Sequence, residues 1–513
     1  MPGQERKPRW SPPYSTPLPD GEAARRHVAR LRVVAYVLAA VMLVSPAVQF
    51  QYGTMRRAAK AAALAAASSQ SAPAEAEAAA FDKTKGAVGR WRNAVRDFWA
   101  GHNIYLASSD DGATRMHPNM PFVVILLTPF AYLPAWAAAA VYNALKLAVI
   151  AAAVLMMVRV ADHDGLRMPD WVVGLGLLWA LKPIVGDIQH GNTNVFVLGA
   201  IVLHLWLYRR GSDVAAGGAL AAAICLKMTP ALFLLYWLYQ RGWKVLAGAA
   251  AGLVICAGIV PVAAVGPQRA SELTRTWLDN LIIPGAVKGE WYPIHVNQSA
   301  SGVLGRYLLG EGQSGGDIYW GPDDSPYEKQ EEHGWIAFVS LSPATAKWVV
   351  RAFQAVIVLL GAWAIGWRRL GRDDGRRALH YGLVAVGMML LNQRTWDHHA
   401  TVMLVLAVPA WYSIAYGRVG AARAWALGLT LAAGACLWLS SNGVFEAAAW
   451  LAGRGSKVGS AWADVGLAYG PVFYYFLLMF AAGVILVVSL RSGDAPYSQQ
   501  RQRLGGAVAT TGA

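Results

Sequence analysis

Long apolar runs alternate with short polar segments along almost the whole chain. Runs of about 20 predominantly apolar residues are long enough to cross a hydrocarbon core as helices. The pattern therefore predicts an all-α polytopic membrane protein with about 11–13 transmembrane helices. The predicted spans are 33–50, 135–158, 170–186, 193–208, 214–240, 243–265, 345–367, 377–391, 400–416, 421–440 and 469–490.

The charge of the connecting loops predicts the orientation, because Lys and Arg concentrate on the cytoplasmic side of short loops. This rule places both termini inside. It also creates a conflict, since basic loops at Arg209–Arg210 and Arg241–Lys244 flank one apolar run, 214–240. A break at Lys227–Pro230 resolves it: two half-spans would meet there, because Pro ends a helix and broken helices survive where they line a cavity.

The same pattern predicts the domain organisation. A single integral membrane domain spans 31–490, between a disordered basic cytoplasmic arm (1–30) and a disordered cytoplasmic tail (491–513). Two outer loops are expected, one at 51–117 that carries interfacial helices and a large one at 266–344. The run 119–134 is interrupted by prolines, so we expect it to be re-entrant or interfacial.

Composition supports this class. The chain is 56% hydrophobic and only 15% charged, although its formal net charge is +15. The basic residues lie in short loops, where membrane orientation and anionic lipid head groups account for them. Membrane lipids are thus expected partners and nucleic acid is not.

Polar clusters stand at the ends of the apolar runs, and the predicted topology brings them all to the outer face. They indicate one active site. The clusters are His117–Asn119, Asp187–Asn194, Lys227–Pro230, His295–Gln298 and Asn392–His399.

The last cluster carries the most chemistry. It contains Arg394, Asp397, His398 and His399 at the start of a span, where ionisable groups are rare unless they serve a site. An interfacial anchor of Trp and Arg is the alternative. No metal site is predicted, since adjacent His residues do not share the i, i+4 face of a metal-binding helix.

The other clusters offer hydrogen-bonding groups. Amides and a carboxylate of this kind recognise hydroxyl-rich ligands, although Asn and Asp also cap helices. Lys227 stands before a Thr-Pro break, which favours an anionic partner over a lysine that extends to the membrane surface. The candidate binding residues are Asp187, His190, Asn192, Asn194, Lys227, Asn297 and Gln298.

Five short motifs occur in an order that resembles a known family. They are Gly101–Tyr105 with His117–Asn119, then Asn192 and Asn194, Leu226–Pro230, Asn297–Ser299, and Trp396–His399. Together they resemble the bacterial polyprenol-phosphate-dependent mannosyltransferases, glycosyltransferase family 87, which have a GT-C membrane fold. The resemblance covers most of residues 30–490.

The resemblance implies an integral protein of the bacterial inner membrane with an outward-facing active site. A hexose, mannose by analogy, would move with inversion from a polyprenyl-phosphate sugar to a lipid or glycan acceptor. No cofactor, nucleotide sugar or obligatory metal is implied. The reaction needs a general base and cations that stabilise the developing phosphate charge. The candidate cations are Lys227, Arg394 and Arg92, and His117 and Asn119 are further substrate-binding candidates.

One departure from the family concerns the base. Relatives carry an Asp in the first outer loop, at a position that falls near Ala87 here. We rank Asp82 and His398 or His399 first as replacements. Asp97, Asp187 and Asp397 are the alternatives.

A transporter or flippase for lipid-linked sugars is the rival interpretation, because it too would place polar groups in a membrane cavity. Transporters commonly show broken helices at matching positions in two repeats. Only the Lys227–Pro230 break is evident here, which favours the transferase.

Overall fold

The computed structural model describes residues 22–68, 87–106, 117–161, 168–292, 294–310, 336–372, 374–417 and 419–490. Throughout these ranges the secondary structure is helical, with no β-strand. Eight helices are long and apolar enough to cross a membrane, and four apolar helices are shorter. The expected all-α polytopic membrane fold is confirmed.

We number the helices α1 to α18 along the chain. They are α1 Glu22–Ser68, α2 Ala87–Ala100, α3 Pro121–Tyr132, α4 Ala135–Ala161, α5 Asp170–His190, α6 Asn194–Arg209, α7 Asp213–Leu226, α8 Leu232–Tyr239, α9 Trp243–Val265, α10 Pro267–Trp277, α11 Ala300–Leu308, α12 Pro343–Ile365, α13 Arg376–Leu391, α14 Leu404–Tyr416, α15 Ala422–Leu439, α16 Asn442–Leu451, α17 Ser456–Ala468 and α18 Pro471–Ser489. A 3₁₀ segment, Asp397–Met403, leads into α14, and a π-helical segment, Leu278–Val287, follows α10.

The predicted break in the run 214–240 is confirmed. Helix α7 ends at Leu226, a short 3₁₀ turn covers Thr229–Ala231, and α8 begins at Leu232. Pro230 lies at the first turn of that new segment, where its missing N–H costs no hydrogen bond. Lys227 is consequently the residue that follows the end of α7.

Other boundaries differ from the predictions. Helix α1 starts inside the arm 1–30 that we expected to be disordered, and it continues past residue 50 to Ser68. No element was predicted between 440 and 469, yet α16 and α17 form a helical pair there. Helix α3, in contrast, agrees with the expectation for the run 119–134, because its 12 residues, or about 18 Å, are too short to cross a bilayer.

The centre of the bundle is the helix that contains the last polar cluster. Of its membrane-length window, Asp397–Tyr416, 89% is buried inside the protein, against 17% for α12 at the periphery. Close approach to this central helix requires small residues. A Cβ at Gly176 would collide with Val408, and one at Gly382 would collide with Leu406. These contacts bring α5 and α13 against the segment that carries His398 and His399.

Candidate functional site

The site is assembled from helix ends. Helix α5 ends at His190, and Gly191 takes the left-handed conformation that turns the chain towards α6. Helix α7 ends beside Lys227, and the 3₁₀ segment that starts at Asp397 packs against both α5 and α6. The chain breaks that the sequence marks with Gly, Asn and Pro therefore meet at one place.

A buried ion pair stabilises the place where α5 ends and α6 begins. Lys146 Nζ of α4 lies 2.9 Å from Asp187 Oδ2, and both side chains are 0% exposed. Lys146 also donates to the backbone oxygen of Asp187 at 2.6 Å. The other carboxylate oxygen, Oδ1, accepts from the backbone N and from Nδ2 of Asn194 at 3.1 and 3.0 Å. Asp187 therefore positions Asn194, and its predicted contact with the substrate stays a prediction.

Asn194 in turn orients Lys227. Its Oδ1 accepts a hydrogen bond from Lys227 Nζ at 2.8 Å. The side chain of Lys227 is half-buried, and its charge is close enough to interact with His399. Four groups thus form one chain, from Lys146 through Asp187 and Asn194 to Lys227. The predicted cation stands at its end.

The His-rich segment has its own support. Lys182 Nζ of α5 lies 3.1 Å from Asp397 Oδ2 and donates to Ser440 Oγ at 2.7 Å. Asp397 Oδ1 lies 3.4 Å from His398 Nδ1. The ring of His398 stacks on His190 with centroids 5.5 Å apart. The structure therefore joins His190, Asp397 and His398, all predicted, with Lys182, which was not.

His399 is bonded differently from its neighbour. Its Nδ1 accepts the backbone N–H of Trp396 at 3.3 Å, and its side chain is nearly buried. In a neutral imidazole with an accepting Nδ1, the proton sits on Nε2. His399 is thus a donor at Nε2, whereas His398, whose Nδ1 faces a carboxylate, keeps a lone pair on Nε2.

Asn297 and Gln298 are fully buried, and backbone groups occupy their amides. Asn297 donates to Tyr292 O and Gln393 O and accepts from the N–H groups of Ser299 and Thr395. Gln298 donates to His295 O and Leu467 O and accepts from Val472 N. Asn297 therefore positions the chain around 393–395, and Gln298 connects it to the start of α18. The substrate contact predicted for both residues stays a prediction.

Arg394 and Asn192 lie at the edge of the site. The Arg394 guanidinium stands over the Tyr292 ring at 4.6 Å. Burial lowers the pKa of Arg394, and the nearby Tyr292 and Glu290 partly offset this decrease. The backbone oxygen of Asn192 accepts from Tyr142 Oη at 3.0 Å, and its side chain is half-buried.

The remaining predicted residues, which we call the second cluster, are Arg92 on α2 and His117 and Asn119 just before α3. Arg92 donates to the carbonyls of Phe130 and Leu133, at the end of α3. His117 is buried against Trp91, and burial lowers its pKa to about 4. Asn119 donates its backbone N–H to His117 Nδ1 at 3.3 Å.

Aromatic contacts connect this cluster with the central site. Phe130, whose carbonyl binds Arg92, meets Tyr142 edge-on at 5.3 Å, and Tyr142 bonds Asn192. The predicted phosphate contact of Arg92 therefore stays a prediction, as do the roles of His117 and Asn119. Asp97 is partly exposed beside His102, and Asp82 lies outside the described residues.

Sequence reasoning missed Lys146 and Lys182. Both stand inside apolar helices of membrane-spanning length, at positions where a charge is costly without a partner. A lysine inside an apolar run was therefore the sequence signal that could have identified both residues. Among the described residues, no three His, Cys, Asp or Glu side chains form a group that could hold a metal ion.

This fold and this site define a polytopic membrane protein with a cationic and imidazole-rich site at the junction of broken helices. A family model described as glycosyltransferase family 87 matches residues 119–392, which is more than half of the chain. The protein belongs to glycosyltransferase family 87, and it is therefore a membrane glycosyltransferase. The resemblance drawn from the short motifs is confirmed at the level of the family. No curated protein and no solved structure matches the chain.

Proposed function

We propose that the protein transfers a hexose, with mannose as the expected sugar, from a polyprenyl-phosphate donor to a lipid or glycan acceptor. The transfer proceeds with inversion on the outer face of the bacterial cytoplasmic membrane. One observation carries the proposal: Lys227, held by Asn194, interacts electrostatically with His399, and the adjacent His398 has a different set of hydrogen-bonding partners. Such a pair of functions, cation and base, is what glycosyl transfer from a phosphate requires.

The cationic side chains of the site stabilise the leaving phosphate. As the bond between the sugar and the phosphate oxygen breaks, negative charge grows on the phosphate. Lys227 presents its ammonium there, held from behind by Asn194, so little reorganisation is needed. His399 adds an Nε2–H donor, and Arg394 is the further cation of the segment. Charge-assisted bonds of this type strengthen as the charge develops.

The dyad formed by Asp397 and His398 activates the acceptor hydroxyl. Its proton passes to His398 Nε2 while its oxygen bonds to the anomeric carbon. Asp397 fixes the tautomer and stabilises the imidazolium, and Lys182 keeps Asp397 in place. This assignment replaces the family's first-loop carboxylate with groups that the described residues contain.

The test uses purified protein in lipid with radiolabelled polyprenyl-phosphate mannose and a lipid acceptor pool. We expect label in a new lipid. Loss of the base in His398→Ala should lower the rate by about 10²–10⁴. Lys227→Met should lower it by about 10²–10³, in line with the loss of one preorganised electrostatic contact. Lys244→Met removes an exposed lysine and is the matched control.

A second readout separates the two imidazoles. Free imidazole should partly restore His398→Ala, because it can replace a proton acceptor, and it should not restore His399→Ala. Full activity of His398→Ala would exclude it as the base. If the donor stays intact while labelled lipid moves between the leaflets of sealed vesicles, the protein is a transporter and the proposal fails.

A further inference from the structure

A small polar groove lies beside the site, at one end of α12. It has a cavity volume of about 70 Å³, well above the roughly 10–15 Å³ that a single water molecule needs. Two cationic side chains, Lys347 and Arg351, line it from successive turns of α12. Opposite them stand Trp291 and Gly289.

The cations converge on this groove. Lys347 and Arg351 are four residues apart, so they share one face of the helix. Lys347 Nζ donates to the carbonyl of Lys288 at 3.3 Å, which holds the ammonium over the groove. Arg351 Nη2 would lie 4.0 Å from a Cβ placed on Gly289. A side chain at position 289 would therefore meet the guanidinium.

A buried donor adds a second, independent observation. Trp291 is only 5% exposed, and its ring packs in a small apolar cluster with Leu309, Ala346 and Val350. Its Nε1–H is buried, and none of the described residues accepts it. A buried N–H without an acceptor is costly, so an oxygen of a bound group is the expected partner.

The position of the groove points to a lipid. Helix α12 has membrane-spanning length, and large apolar side chains on it are exposed, among them Trp348 at 68% and Leu359 at 67%. Lys347 and Arg351 lie near its first turns, with the guanidinium 5.6 Å from the Trp348 ring. Aromatic and cationic residues at a helix end mark the head-group level of a membrane.

We propose that this groove binds the phosphate group of a membrane lipid. Lys347 and Arg351 neutralise the phosphate and Trp291 Nε1–H donates to one of its oxygens, while the acyl or prenyl chains lie along the exposed face of α12. The side chain of Gln393 also lines the groove, one residue before Arg394, so the bound lipid adjoins the catalytic segment. The proposal stands on binding alone and does not require the transfer reaction.

Native mass spectrometry of the delipidated full-length protein tests it with four added lipids. Polyprenyl phosphate and phosphatidylglycerol carry the phosphate, and polyprenol and diacylglycerol are their phosphate-free counterparts. We expect the neutral lipids to bind at least tenfold more weakly than their phosphate counterparts. Selectivity for polyprenyl phosphate would assign the groove to a prenyl carrier, and binding of phosphatidylglycerol would assign it to a bilayer lipid. Both outcomes support a phosphate site.

Variants locate the site. Lys347→Gln/Arg351→Gln should weaken binding of the phosphate lipid at least tenfold. Arg368→Gln/Arg369→Gln, which removes the same charge just beyond the other end of α12, should leave it unchanged. Trp291→Phe keeps the ring, removes the N–H and should weaken binding several-fold, which preserves a test if the double variant fails to fold. Equal binding of polyprenol and polyprenyl phosphate, or unaltered affinity in Lys347→Gln/Arg351→Gln, would overturn the proposal.

Discussion

Breaking the buried pair of Lys146 and Asp187 should destabilise the protein more than any surface charge change. Both side chains are 0% exposed and their charged atoms lie 2.9 Å apart. Removing one partner leaves an uncompensated charge in the bundle, which costs about 3–5 kcal/mol in comparable buried pairs. We expect losses of that size in Lys146→Met and in Asp187→Asn.

The double variant gives the sharper result. Met at 146 is close to Lys in length, and Asn at 187 still offers Oδ1 to the two N–H donors of Asn194. No charge is then stranded, so Lys146→Met/Asp187→Asn should recover most of the stability lost by either single variant. The coupling energy, which is the loss in the double variant minus the sum of the two single losses, should then be at least about 4 kcal/mol in magnitude, above the range of about 0.5–3 kcal/mol usual for pairwise interactions.

Unfolding by SDS in mixed micelles, followed by far-UV circular dichroism, measures these differences. The control is the pair of Arg275 and Asp279, whose side chains are 85% and 52% exposed. Solvent screening should limit its contribution to a few tenths of a kcal/mol. If the two single losses at 146 and 187 simply add in the double variant, the charges are not coupled and the support inferred for Asn194 is wrong.

Three further predictions follow from other contacts. Gly217→Ala should destabilise the protein by about 1–3 kcal/mol in the same SDS assay, because its Cβ would collide with the carbonyl oxygen of Val245. The control is Gly218→Ala, whose Cβ meets no other atom, so that this variant should be neutral or stabilising. Equal effects of the two variants would contradict this packing. Asn297→Asp removes two donors to backbone carbonyls and should cost about 3 kcal/mol together with transfer activity, and wild-type unfolding would refute its positioning role. Thermal stability should fall as pH drops from 6.5 towards 4. Burial lowers the pKa of His117 in the folded protein to about 4, so the unfolded state binds a proton at a higher pH than the folded state does. His117→Gln should flatten this dependence on pH, and an unchanged dependence would rule out His117 as its source.

The broken helix at Lys227 could be predicted because two sequence signals conflict there. Basic loops on both sides of one apolar run demand an even number of crossings, and the Thr-Pro step supplies the only convenient break. The fold class and the candidate residues of the central site also follow from the sequence, since polar groups at the ends of apolar runs are directly visible.

The roles of these residues could not be predicted in the same way. Asp187, Asn297 and Gln298 have the chemistry of ligand contacts, but their atoms are bonded to groups far along the chain, such as Lys146 and Leu467. A sequence shows which donors exist and not which of them are already engaged. Only the three-dimensional contacts distinguish the side chains that face a substrate from the side chains that hold them in position.

Lys146 illustrates the opposite error. A single lysine in a 27-residue apolar helix gives no motif and no spacing pattern, because its partner belongs to another helix. The short pair of α16 and α17 was overlooked for a related reason. Its helices, of 10 and 13 residues, are too short to stand out as membrane spans.

The length of α1 has a consequence for how the protein sits in the cell envelope. At 47 residues this helix measures about 70 Å, whereas a bilayer with its head groups is about 40–45 Å thick. If α1 stands perpendicular to the membrane, about 25 Å of helix therefore extends beyond the head groups. In that orientation the end of the helix lies several helical turns away from the lipid surface.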